Sequence, residues 1–223
     1  MTEENVKASP VTGTDEHHLQ LRQLTIDDFD DIYEVTKQVY PTLGPYDRED
    51  LEFLMKVFPE GQIGIEDQGK IVAAAFAVIV DYKKLGDKHT YEQVTANYTF
   101  KTHTPDGDTL YGIEMFVRED YRGMRLGRRL HDARKEICQS LNLRAIIFGG
   151  RMAGYRKYRD ELSPQQYLRK VRAREISDPV ISFQLSNGFH SRRILRNYLP
   201  GDEESGNYAV LMEWLNIYYE EDA

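Results

Sequence analysis

Two stretches hold residue types whose spacing could do chemistry. In YRGMRLGRRL, Tyr121 to Leu130, Gly123 and Gly127 alternate with Arg122, Arg125, Arg128 and Arg129. Glycines let main-chain N–H groups approach a ligand closely, and arginines add positive charge. The combination suits an anion, a pyrophosphate above all, although a helix start with incidental arginines has the same composition. No Gly-Lys-Ser/Thr run follows, so this is not a Walker-type loop, and the three-glycine dinucleotide spacing is absent. Just before it, Glu114 interrupts the apolar run TLYGIEMFV, residues 109–117. A carboxylate inside a central strand is costly unless it is paired or used. Glu114 is therefore a proton acceptor or an amine ligand, or else it pairs with an arginine such as Arg144 or Arg151. The sequence leaves both readings open.

The elements around these residues explain how they would be positioned. TLYGIEMFV reads as a strand. The glycine-bearing turn leads into a helix whose apolar positions Leu126, Leu130, Ala133, Ile137 and Leu141 recur at helical spacing. The first N–H groups of such a helix have no internal acceptor, and its dipole concentrates positive charge there. LRAIIFGG, the next strand, is apolar enough to be central. Upstream, HLQLRQL alternates as a half-buried strand. Thr25 and Asp28 mark a helix start, Asp47 opens a second helix, and GQIGIEDQGKIVAAAFAVIVDY is a strand, a tight turn and a long strand. Downstream, Ser163-Pro164 with Gln166, and Asp178-Pro179, open two further helices, and Gly188 is placed to stop the second. YAVLMEW closes the pattern as a strand. The order is that of an α/β (α+β) domain with a long mixed sheet.

Composition bounds the remaining choices. The chain has 223 residues, 40% hydrophobic and 30% charged, as a soluble globular chain has. We expect one domain over residues 18–219, a flexible tail over 1–17, and insertions at about 83–108 and 152–180 that wall an acceptor pocket. No apolar run is long enough for a membrane helix and no secretory pattern opens the chain, so no membrane contact and a cytoplasmic location are expected. The single cysteine, Cys138, excludes an internal disulfide framework and a cysteine-built zinc site, and it reads as buried filler. Net charge is −8, yet residues 118–135 hold seven bases against three acids, and residues 151–174 hold eight bases against Asp160 and Glu161. An anionic ligand or partner would suit that layout. So would solvated faces balanced by the seven acids of residues 202–223. The negative total argues against nucleic acid.

LYGIEMFVREDYRGMRLGRRLHDARKEI resembles the acetyl-CoA-binding core of the GNAT N-acetyltransferase superfamily, and FQLSNGF, Phe183 to Phe189, resembles that family's later helix ending. LYGIEMFV, RGMRLGRRLHDARKEIC, GGRMAGY and DPVISFQLSNGF with NYLPGDEESGNYAVLMEW further resemble the GNAT-type domains fused to nitrilase-type carbon–nitrogen hydrolases. The resemblance implies a mostly antiparallel twisted sheet flanked by helices and splayed at its central strands to hold acetyl-CoA, with no metal. It implies that the loop Arg122, Gly123, Met124, Arg125, Leu126, Gly127 and Arg128 holds the pyrophosphate. It also implies that the N–H of Phe116 or Val117 polarises the thioester carbonyl. Two positions depart from the family pattern. Arg125 stands where glycine is usual, and we expect negative φ there, with its guanidinium near phosphate. Gln184 stands where a general-acid tyrosine is usual, and Tyr155 or a tyrosine of the 83–108 insertion is the candidate replacement. The implied activity is transfer of an acetyl group from acetyl-CoA to an amine of a small molecule or protein, in a ternary complex. The alternative is a CoA- or acyl-CoA-binding regulatory module with little turnover. A carbon–nitrogen hydrolase and a second copy of the chain are the candidate protein partners.

Overall fold

Why the sheet is built as it is follows from its longest strand. KIVAAAFAVIV has no polar residue after its first, so both faces must be covered; every residue from Ile71 to Val80 is buried. The computed structural model describes residues 17–39 and 46–221, and Lys70–Val80 is its central strand β3. The other strands are β1 (Gln20–Gln23), β2 (Ile63–Asp67), β4 (Thr109–Val117), β5 (Ala145–Arg151), β6 (His190–Leu195) and β7 (Ala209–Leu215). They form one seven-stranded sheet in the order β1-β2-β3-β4-β5-β7-β6. All neighbours are antiparallel except β4 and β5.

The helices are α1 (Phe29–Val39), α2 (Arg48–Val57), α3 (Tyr82–Leu85), α4 (Tyr91–Thr95), α5 (Leu126–Ser140), α6 (Pro164–Arg172) and α7 (Ile181–Ser186). Their starts are set locally. Thr25 N–H donates to Asp28 Oδ2 (2.8 Å) ahead of α1, and Gln166 N–H donates to Ser163 Oγ (3.3 Å) at α6. Asp178 caps α7, its Oδ1 accepting from Val180 N (2.9 Å) and Ile181 N (2.8 Å). Gly188 follows α7 with φ 84°, a left-handed stop that glycine adopts without strain. Most of the expected tail falls outside the described residues. His17 bonds Asp67 Oδ2 through Nδ1 (2.6 Å).

The segment 83–108 contains α4, and its Tyr91 N–H is bound to Tyr198 O (2.8 Å). On α5 the apolar stripe is shorter than expected at its end, since Leu141 is 40% exposed. At the other side of the stripe the helix also buries His131, Arg134 and Cys138. The basic stretch 151–174 is mostly a solvated face, as one of the two sequence readings had it. Its Arg151 pairs with Asp202 (Nε–Oδ2 2.6 Å), and Arg156 lies 3.9 Å from Glu203.

Candidate active site

β4 and β5 run parallel, but they pair only over Thr109–Tyr111 and Ala145–Ile147. Beyond that, β4 continues to Val117 and β5 to Arg151, each bonded only to its outer neighbour. The sheet therefore opens into a wedge with its apex at Gly112 and Phe148. The cleft it creates has a volume of about 660 Å³. β4 residues 112–117, the loop through Gly127, β5 residues 148–151 and the α7 residues Phe183 and Gln184 line it.

The open edge of β4 has an orientation that can be derived. Arg118 N donates to Val72 O on β3 (2.8 Å). Antiparallel bonding alternates, so Phe116 N also faces β3, while Val117 N and Met115 N face the wedge. Of the two amides expected to polarise a thioester, Val117 is the one so directed. Phe116 lines the cleft but turns its N–H away. Met115 N already accepts the attention of a carboxylate, donating to Glu114 Oε1 at 2.9 Å.

At the outer end of the wedge lies the arginine–glycine loop. Gly123 has φ 90°, and Arg125 has φ 62° and ψ 22°. The expectation of negative φ at Arg125 is thus corrected: this is the left-handed region, which explains why glycine suits the position and which costs a non-glycine residue about 1–2 kcal/mol. The first helical bond of α5 runs from Arg129 N to Arg125 O (3.2 Å). The amides of Leu126, Gly127 and Arg128 precede it and have no intrahelical acceptor. A Cβ on Gly127 would lie 2.9 Å from Phe183 Cζ across the cleft mouth, so the ring would have to shift. Arg122, Gly123, Arg125, Leu126 and Gly127 line the cleft. Met124 and Arg128, expected with them, do not. Met124 packs beside Leu126 and Leu130, and Arg128 is exposed near Asp132 (4.0 Å).

Glu114 is on the opposite face of β4 from α5. Met115 and Val117 pack with Leu126 and Leu130 of α5, whereas Glu114 Oε2 accepts from Tyr46 Oη (3.1 Å), which is 3.2 Å from Tyr91 Oη. Of its expected structural partners, Arg144 is bonded to Asp108 (3.3 Å) and Arg151 to Asp202. The arginine that reaches Glu114's main-chain oxygen is Arg134 of α5. Sequence reasoning missed Tyr46 and Arg134. It allowed for a tyrosine of the 83–108 insertion, and Tyr91 of that segment lies beside Tyr46 but does not line the cleft. Burial, and after it the charge of Glu114, holds the Tyr91 phenol well above its usual range.

Tyr155 is corrected. It is 5% exposed, donates its hydroxyl to Leu162 O (2.9 Å), packs against Tyr167 and Tyr208, and lies outside the cleft lining. Its ring fills core. Gln184 does line the cleft beside His131, whose ring is stacked among Phe148, Phe183 and Phe189. Burial, and next the Arg134 charge, push the His131 imidazole down to about 3, so it is neutral at physiological pH. His103 is structural too, lying on Phe58 and accepting from Ile79 N (3.2 Å). Among the described residues no group of three His, Cys, Asp or Glu side chains could hold a metal ion, and no helix is long and apolar enough to cross a membrane.

Known proteins share this architecture. The profile of the acetyltransferase (GNAT) family matches residues 21–155. YhcX of Bacillus subtilis, named a probable hydrolase, is 40% identical over 204 residues, 92% of this chain; the chain spans 40% of that protein's length. YkwB of the same organism, named an uncharacterized N-acetyltransferase, is 34% identical over 205 residues and 90% of both chains. Among solved structures, the loading GNATL domain of CurA from Lyngbya majuscula superposes with a TM-score of 0.78 at 22% identity, covering 89% of this chain and 98% of that one. The GphF GNAT-like decarboxylase in complex with isobutyryl-CoA gives 0.72 at 20% identity, covering 88% and 98%. These matches and the splayed β4–β5 wedge agree: the chain belongs to the GNAT acetyltransferase family.

Proposed function

We propose that the protein is an acetyl-CoA-dependent N-acetyltransferase in which a small-molecule or protein amine attacks the thioester directly. The observation that carries this reading is the wedge itself. An anion-binding helix start lies at one end and a carboxylate at the inner end, with the wedge-facing amides of Val117 and Met115 between, the latter bonded to Glu114 Oε1. Leu126 and Gly127 N–H groups would hold the pyrophosphate, assisted by Arg122 and Arg125. Val117 N would bond the pantetheine arm as a further strand does. Met115 N, released by Glu114 Oε1, would bond the thioester oxygen and stabilise the charge that develops there; one such donor contributes about 3 kcal/mol. The cosubstrate supplies an activated acyl thioester. Glu114, held by Tyr46, accepts the proton of the attacking amine as the N–C bond forms and the C–S bond breaks. The leaving thiolate needs little acid help, since the parent thiol's pKa is about 8.5, so glutamine at position 184 is compatible with turnover.

Release of free thiol from acetyl-CoA, followed across a panel of polyamines, amino acids and peptide N-termini, tests the reading. Glu114→Gln lowers kcat about 10²- to 10³-fold at unchanged acetyl-CoA affinity. Tight acetyl-CoA binding with no transfer to any amine would sink it. Gln184 in place of the usual tyrosine favours a second reading. In it the chain is a CoA- or acyl-CoA-binding module that regulates a carbon–nitrogen hydrolase.

A further inference from the structure

Arg134 is 3% exposed, yet it lines the cleft. It rises from α5 to the apex of the wedge. A Cβ on Gly112 would sit 3.1 Å from its Nη1 and 3.4 Å from Phe148 Cβ. Nη2 donates to Phe76 O (2.6 Å) and to Glu114 O, the two carbonyls beside the irregular step in the β3–β4 register. Nη1 donates to nothing among the described residues, and it is not one of the fully enclosed unsatisfied atoms, as Nε is. It therefore opens onto the cleft. Burial lowers this guanidinium to about 10 against the pull of Glu114, which still leaves it charged at neutral pH.

The surroundings at the apex do not suit a methyl group alone. A cation removed from water needs a nearby anion or a full set of acceptors. Glu114 is the nearby carboxylate; its Oε2 accepts from Tyr46 Oη and its Oε1 from Met115 N. On the α5 side, Nη1 has no acceptor among the described residues. An acyl-CoA entering from the loop runs along the edge of β4 past Val117, then Met115, and so brings its acyl end toward Gly112 and this N–H.

We propose that Arg134 lets the cleft accept acyl groups ending in a carboxylate, so that a dicarboxylic acyl-CoA binds as donor more tightly than acetyl-CoA does. This rests on the acyl-CoA reading above and narrows its donor. A terminal carboxylate would give Nη1 its missing acceptor as a charge-assisted bond, and Phe148 with Gln184 would wall the chain between.

The test is calorimetric titration of the whole chain with CoA, acetyl-CoA, malonyl-CoA and succinyl-CoA. Malonyl- or succinyl-CoA is expected to bind about 10- to 100-fold more tightly than acetyl-CoA. Arg134→Met should erase that preference and leave CoA affinity within about threefold. If Arg134→Met does not fold, Arg134→Lys keeps the charge, loses the forked N–H, and should reduce the preference. CoA binding with no gain for either dicarboxylic ester in the unaltered chain overturns the proposal and leaves Arg134 as a brace for the two carbonyls. Absence of binding by CoA itself overturns the acyl-CoA reading and the proposal with it.

Discussion

Arg125→Gly should stabilise the protein while weakening its hold on CoA. Arg125 sits at φ 62° and ψ 22° immediately before α5. That conformation costs an L-residue with a Cβ about 1–2 kcal/mol, and glycine is also a better helix N-cap than arginine. Against this, glycine's larger unfolded-state entropy costs about 0.5–1 kcal/mol. The net is a gain of about 0.5–1 kcal/mol, or roughly 1–4 °C in Tm for a domain of this size. Arg125→Ala removes the same charge and keeps the strained φ, so it should gain nothing. In calorimetry both variants lose the exposed guanidinium, which is worth up to about 1 kcal/mol against phosphate, about fivefold in Kd at low salt and less as salt rises. If Arg125→Gly melts no higher than Arg125→Ala, the backbone argument is wrong. If neither variant changes CoA affinity at low salt, the side chain is not on phosphate.

Other expectations are as specific. Asp202 is held below the usual carboxylate range; burial opposes this, and the Arg151 and Ser205 bonds override it. A carboxyl whose pKa is lowered by folding stabilises fully above its unfolded value near 3.9, and the contribution fades as pH falls through the folded value. Asp202→Asn should therefore cost about 2–4 kcal/mol at pH 7, with the gap to the unaltered chain narrowing below about pH 4 in denaturant titrations. Cys138 is buried, its thiol pushed up to about 12 by burial. It should resist a thiol reagent in the native state and react fully once unfolded; fast native labelling would contradict that packing. Tyr46→Phe should lower transfer less than Glu114→Gln does and shift the acid limb of the pH–rate profile. An unchanged profile would remove Tyr46 from the mechanism.

What could be read from the sequence was what neighbouring residues decide. Thr25 with Asp28, Ser163 with Gln166, and the loop-to-helix step at Arg122–Gly127 each declare themselves within a few positions, and the element order followed from periodicity. Glu114 stood out because its neighbours are apolar. The missed parts depend on contacts distant in sequence. Tyr46 meets Glu114 across 68 positions and Tyr91 across 45, and in a chain with 15 tyrosines neither is conspicuous. Arg134 looked like part of the exposed charge on a helix, because only the fold shows that its neighbour through space is the parting of β4 from β5. The sign of φ at Arg125 was hidden for another reason. An arginine there carries no trace of the backbone its position demands.

Both the proposed activity and the donor preference need an acyl-CoA lying in the β4–β5 wedge with its pyrophosphate at the start of α5. Calorimetric titration of CoA into the unaltered chain and into Gly127→Val tests this most directly, because a side chain at 127 would strike Phe183 at the cleft mouth. The account predicts micromolar binding by the unaltered chain and at least about tenfold weaker binding by the variant, with circular dichroism unchanged. No binding by the unaltered chain, or equal binding by both, would contradict it.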